Sequence, residues 1–135
     1  MTPPGFFIPS GLFLLYGDIF VKHTVSIKQN RDFRLIYKRG KSAVSPVLAL
    51  YARKNKLSSN RIGITVSTKV GKAIVRNRVR RRIREAYRIN EGRFLPGRDI
   101  IVVSRVRAAD ATFREIEENL LRLSGSLGLL SEEKE

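Results

Sequence analysis

Seven arginines fall between positions 76 and 88: Arg76, Arg78, Arg80, Arg81, Arg82, Arg84 and Arg88, with Asn77 among them and Glu85 as the one acid. A guanidinium stays charged at every physiological pH and offers a planar fork of N–H donors, so its chemistry is the gripping of phosphate or carboxylate. Like charges three and four apart on a helix repel, at roughly 0.2–0.5 kcal/mol per pair. So one-sided a run calls for a polyanion, and nucleic acid comes first. Lys69 and Lys72 extend it upstream on either side of Gly71, where a bare backbone would let a phosphate approach closely.

A second constellation lies earlier. Phe33, Tyr37 and Tyr51 are interleaved with Arg34, Lys38 and Arg53. Aromatic faces stack on unpaired bases while cations follow the backbone, which describes a single-strand binding surface. The same helical spacing of Phe33 and Tyr37 also suits a packed core. Catalytic groups are scarce. Asp32, Asp99, Asp110 and Glu115 stand at expected helix starts and turns, where capping is their ordinary role. Glu85 balances arginines. His23 is the single histidine and there is no cysteine, which removes thiol chemistry, disulfides and any imidazole pair. Gly5, Gly63 and Gly71 match no phosphate-loop spacing. A reaction involving this chain would draw its reacting groups from elsewhere.

The elements that must position these residues follow from periodicity. Asn30 or Asp32 caps an expected helix over Arg31 to Arg39, with Gly40 relieving a left-handed C-cap. Val47 to Ala52 reads as a strand, Lys54 to Asn60 as a polar turn, and Ile62 to Ser67 as a second strand. That second strand alternates Ile62, Ile64 and Val66 against Gly63, Thr65 and Ser67. The short link between the two predicts an antiparallel hairpin. A helix over Ala73 to Asn90 buries Val75, Val79, Ile83 and Ala86. It turns Arg76, Asn77, Arg80, Arg81, Arg84 and Arg88 away, while Arg78 and Arg82 flank the stripe. After a Pro96-Gly97 turn, Ile100 to Val103 is apolar on both faces, as a central covered strand is. Thr112 to Glu115 is a capping box opening a helix on Phe113, Ile116, Leu120, Leu123 and Leu127. A short strand is also expected near Lys41 to Val44. The class is α+β, one domain, in the order αβββαβα.

With 135 residues and 42% hydrophobic content the chain suits one folded domain rather than a basic disordered tail. A formal charge of +15 places phosphate backbone or an anionic membrane surface first among partners. Met1 to Phe20 departs from this: it holds no Lys or Arg, and its apolar run is broken by Pro9, Gly11 and Gly17. It is too broken for a membrane span and lacks a basic leader region. Residues 1–20 are expected outside the fold as a start-site extension, with Val21 a candidate initiator. The domain is expected over residues 21–130 and a frayed charged tail over 131–135.

The segment Ile62 to Ala86, with its Arg76-Asn77-Arg78 core, upstream Lys69-Val70-Gly71 and trailing Arg80-Arg81 and Arg84, closely resembles the signature of the bacterial ribonuclease P protein component. Arg31 to Gly40 is similar to that family's first helix, and Asp99 to Val103 to its last strand; the likeness spans about residues 22–127. The resemblance implies an α-β sandwich with a left-handed β-α-β crossover, against the usual right-handed preference. It also implies an accessory subunit that binds the ribonuclease P RNA and precursor tRNA, in an enzyme that removes the 5′ leader. The Mg²⁺-dependent active site then belongs to the RNA, with no catalytic side chain, metal site, small-molecule ligand or membrane partner in this chain, and a cytoplasmic address. By position, Arg76, Asn77, Arg78, Arg80, Arg81 and Arg84 match the RNA-facing helix, which Lys69 and Arg88 extend. Phe33, Tyr37 and Tyr51 match a cleft for the leader, with Thr65 and Ser67 on the neighbouring strand and Arg53 alongside. The alternative is a general or ribosome-associated RNA-binding protein. A DNA-binding helix-turn-helix would need a helix, not a strand, before Ala73.

Overall fold

The computed structural model describes residues 24–131. The expected extension over residues 1–20, His23, and all but the first residue of the charged tail lie outside them. Five strands form one sheet: β1 (Thr24–Ser26), β2 (Lys41–Val44), β3 (Leu48–Lys54), β4 (Asn60–Thr65) and β5 (Arg98–Ser104), in spatial order β1-β4-β5-β3-β2. Three helices complete it: α1 (Asn30–Arg39), α2 (Ala73–Asn90) and α3 (Phe113–Ser126).

β5 is the hub. It runs antiparallel to β3 along its whole length and parallel to β4 over Asp99 to Val103. Ile100, Ile101 and Val102 are completely buried because helices cover both faces of the sheet there. The predicted hairpin of β3 and β4 does not form: β5 is inserted between them, and β4 pairs in parallel with β1 and β5. A local link of polar residues says that two strands turn, not that they pair. A run apolar on both faces needs two neighbours, and β5 takes both. β4, α2 and β5 thus make a β-α-β unit. β1, three residues at the sheet edge, was not expected, so the order is βαβββαβα.

The larger core lies between the sheet and α2 with α3. Leu48, Leu50, Ile62, Ile100 and Val102 meet Val79, Ile83, Ile116 and Leu120 there. α2 spans Ala73–Asn90 as its periodicity predicts, though Val75 is half-buried and Tyr87 is fully buried instead. The Tyr87 hydroxyl lies 2.8 Å from the Thr24 hydroxyl, which donates to Glu91, and its ring packs on Phe94 at 4.9 Å. Burial pushes this hydroxyl above its ordinary pKa. The Thr112 capping box forms in full, Thr112 accepting from Glu115 N–H at 3.1 Å and Glu115 accepting from Thr112 N–H at 2.9 Å. The smaller core, on the other face, joins Ile27, Ile36 and Ile101 under α1.

The ends of α1 differ from expectation. Gln29 occupies the N-cap without a side-chain bond, Asn30 begins the helix and Asp32 lies in its first turn. Gly40 has φ −81°, so no left-handed cap explains it. Proximity does: a Cβ there would lie 2.6 Å from the Ile36 carbonyl oxygen and 2.8 Å from that of Ala52. Glycine lets the chain leave α1 pressed against β3.

Candidate nucleic-acid interface

α2 enters from the end of β4 through a tight turn. The Ser67 hydroxyl accepts from Lys69 N–H at 3.3 Å, capping a 3-10 turn over Thr68–Val70. Gly71 follows at φ 153°, with the Val75 side chain 3.1 Å from where a Cβ would stand. Lys69 and Lys72 are exposed on either side.

The arginines divide by what they touch. Asn77, Arg81 and Arg88 are exposed on the outer face. Arg80 donates to Asn77 Oδ1 at 2.9 Å, and Arg88 pairs with Glu85 at 2.5 Å, which holds the Glu85 carboxyl below its ordinary pKa. Arg76 donates to the Gly71 carbonyl at 3.0 Å and steadies the helix entry. Arg78 and Arg82 reach back over the segment before α3, donating to the Ala109 carbonyl at 3.4 Å and the Ala111 carbonyl at 2.7 Å. Arg84 is half-buried; burial, then Arg80, then Arg81 lower its pKa. Arg80, Arg81 and Arg84 therefore crowd one patch of positive potential, whose mutual repulsion an anionic partner would relieve.

The aromatic residues meet on the opposite face of the sheet. α1 carries Phe33 and Tyr37, with ring centroids 6.4 Å apart, and Tyr37 meets Tyr51 of β3 edge-on at 4.8 Å. Phe33 is seated on Gly63 of β4: a Cβ there would be 2.6 Å from its ring. Tyr51, Ile101 and Gly63 are in register across β3, β5 and β4. One step along the same face comes the row Ala49, Val103 and Thr65, in which Val103 and Thr65 are half-buried. One step the other way comes Arg53, Asp99 and Arg61. The core reading of the aromatics is met in part. Phe33 and Tyr51 pack against the smaller core, while Tyr37 stays 39% exposed.

Arg61, which carried no role in the sequence, fastens this cleft. It donates to both carboxylate oxygens of Asp99 at 2.9 and 2.7 Å and reaches Asp32 of α1 at 3.4 Å. Asn55 donates to Asp99 at 2.8 Å. Asp99 is accordingly a buried strand residue, not the turn or cap residue its position suggested. Burial works to raise its pKa, but the bonds from Arg61 and Asn55 outweigh that and hold it below the ordinary carboxylate range. The missed signal was parity: Arg61 and Gly63 share a strand face, as do Asp99 and Ile101.

The two predicted sets therefore occupy opposite faces, joined by β4. Gly63 and Thr65 floor the cleft, and the same strand runs on through Ser67 and Lys69 into the arginine helix. Ser67 stands past the end of β4. Arg53 lies on the far side of Tyr51 from Thr65. Among the described residues no three His, Asp or Glu side chains converge as a metal site, and no helix is long and apolar enough to cross a membrane.

Comparison with known proteins agrees with this geometry. The family model described as Ribonuclease P matches residues 21–128. The ribonuclease P protein component of Clostridioides difficile is 50% identical over 101 residues, covering 74% of this chain and 89% of the relative. That of Alkaliphilus metalliredigens is 43% identical over 105 residues, covering 78% and 95%. Among solved structures, the RNase P protein of Staphylococcus aureus superposes with a TM-score of 0.73 at 36% identity, covering 78% of this chain and 97% of that one. The protein from Thermotoga maritima gives 0.67 at 37% identity, covering 72% and 92%.

Proposed function

Because this chain belongs to the ribonuclease P protein family, which serves tRNA 5′ processing, we propose that it is an accessory subunit binding the ribonuclease P RNA through α2 and the precursor's 5′ leader through the cleft. The observation that carries this reading is the joining of an arginine surface and an aromatic cleft by one strand, β4. A general RNA-binding protein would not need both the arginine helix and the aromatic group, joined through one strand.

Each part has a separable task. Lys69, Arg76, Asn77, Arg78, Arg80, Arg81, Arg84 and Arg88 supply positive charge and donors to the folded RNA, with the subset turned outward making phosphate contacts. Phe33, Tyr37 and Tyr51 hold unpaired leader bases, and Thr65, Ser67 and Arg53 supply polar contacts along the strand. Mg²⁺ would supply charge neutralisation and an activated water at phosphodiester hydrolysis. Among the described residues no three acids gather to hold it, Asp99 and Asp32 being committed to Arg61 and Glu115 to its cap. The protein's contribution is then to raise substrate affinity and to screen phosphate repulsion where the RNA gathers its ions.

Reconstitution with the organism's own ribonuclease P RNA at low Mg²⁺ tests the reading. Cleavage of precursor tRNA at the mature 5′ end should need both components. Tight RNA binding with no gain in cleavage would favour the general RNA-binding alternative.

A further inference from the structure

At the end of the sheet away from Thr65 and Ser67, a cavity of about 480 Å³ opens beside the last residues of β3. Arg39 at the end of α1, Lys41 opening β2, Arg53 and Lys54 closing β3, and Arg98 opening β5 line it, over a floor of Ala52 and the turn 127–129. Four separate elements thus deliver five cations to one concavity, and among the described residues no carboxylate lines it. Elsewhere Arg61 has Asp99 and Asp32, Arg88 has Glu85, and Arg76, Arg78 and Arg82 each donate to a backbone carbonyl. Among the described residues none of these five makes a salt bridge. Asp99, in register with Arg53, is already engaged by Arg61 and Asn55.

Local roles explain little of it. The dipole at the end of α1 favours a cation in its last turn, which accounts for Arg39 alone. The Arg98 guanidinium donates to the Pro96 carbonyl at 2.8 Å, and that one bond leaves its other donors available. Convergent positive charge over a partly apolar floor strengthens attraction for an anion, because the floor excludes water from one side.

We propose that this cavity is a second phosphate-binding site, apart from the arginine helix and adjoining the aromatic cleft at Arg53, and that it takes backbone phosphates of RNA. Accepting RNA as the ligand rests on the ribonuclease P reading. The phosphates belong either to the ribonuclease P RNA or to the distal part of the leader.

The test uses the full chain carrying Lys41→Ala, Lys54→Ala and Arg98→Ala together, with a melting curve to confirm folding. A charge-matched control carries Arg107→Ala, Arg114→Ala and Arg122→Ala on and before α3. Binding to the ribonuclease P RNA is measured against salt. Binding of precursors with short and long leaders to the assembled holoenzyme is measured beside it. Three lost contacts should flatten the log–log salt slope by about two units, and the control should leave it nearly unchanged. Loss in the RNA-subunit titration assigns the phosphates to that RNA; loss confined to long-leader precursor assigns them to the leader. Equal slopes in wild type and the cavity variant overturn the site, and equal flattening in both variants overturns it in favour of a general charge effect. A wild-type chain that binds the ribonuclease P RNA no better than an unrelated RNA overturns the site together with the reading beneath it.

Discussion

Gly63 is where one atom decides the cleft. Its missing Cβ leaves room for the Phe33 ring, which would otherwise lie 2.6 Å away. Gly63→Ala should displace Phe33 and cost about 1–3 kcal/mol through overpacking. Binding of leader-bearing precursor should weaken, while affinity for the RNA subunit alone stays near wild type. Equal losses on leader-bearing and mature tRNA would mean a folding defect instead. Phe33→Ala tests the same contact from the other side, with about 1–3 kcal/mol lost on precursor alone if a base stacks there. Asp99 carries a pH prediction. Its folded pKa is depressed, so its contribution to stability is complete above the ordinary carboxylate range and is lost as pH falls through the folded value. Asp99→Asn should cost roughly 2 kcal/mol at neutral pH, as charged hydrogen bonds do. That cost should shrink in acid melts; a difference constant with pH would remove the ion pair from the account. The aromatic and arginine positions were legible because their residue types are unusual at their spacing. Arg61 was not, because its meaning depends on Asp99, 38 residues away.

At the scale of elements, α2 is a helix with two kinds of arginine. Arg82 donates to the Ala111 carbonyl at 2.7 Å, so Arg82→Ala should lower stability by about 1 kcal/mol with little effect on the salt slope of RNA binding. Arg81 is exposed and makes no such bond, so Arg81→Ala should leave the melting point alone and flatten the slope by about one unit. Exchange of these two behaviours between the variants would overturn the division of the face. Helix bounds were legible because 3.6-residue periodicity is local: α2 and the Thr112 cap lie where the pattern puts them. Pairing was not. β3 and β4 are neighbours in the chain and not in the sheet, since β5 satisfies both through contacts of long sequence separation. β1 offers three residues with only Thr24 buried, too short for any alternation to register.

For the whole molecule the governing quantity is charge. A net +15 on 135 residues means that folding gathers cations that repel one another, and this cost is greatest where screening is weakest. The screening length falls from about 30 Å at 0.01 M ionic strength to about 8 Å at 0.15 M. Repulsion across the whole body, including that among Arg80, Arg81 and Arg84, should fade over this range. The short Arg61–Asp99 pair, largely shielded on its carboxylate side, should lose much less. The isolated chain should therefore melt higher as salt is added, and higher still with a multivalent anion that binds the native surface and not the unfolded chain. Thermal unfolding followed by circular dichroism across that range, without RNA, reads this directly. A melting point that falls with salt would mean that ion pairs outweigh net repulsion in the free protein. The crowded arginines would then be a tolerated feature of the fold, and the physical reason for assigning α2 a polyanionic partner would be lost.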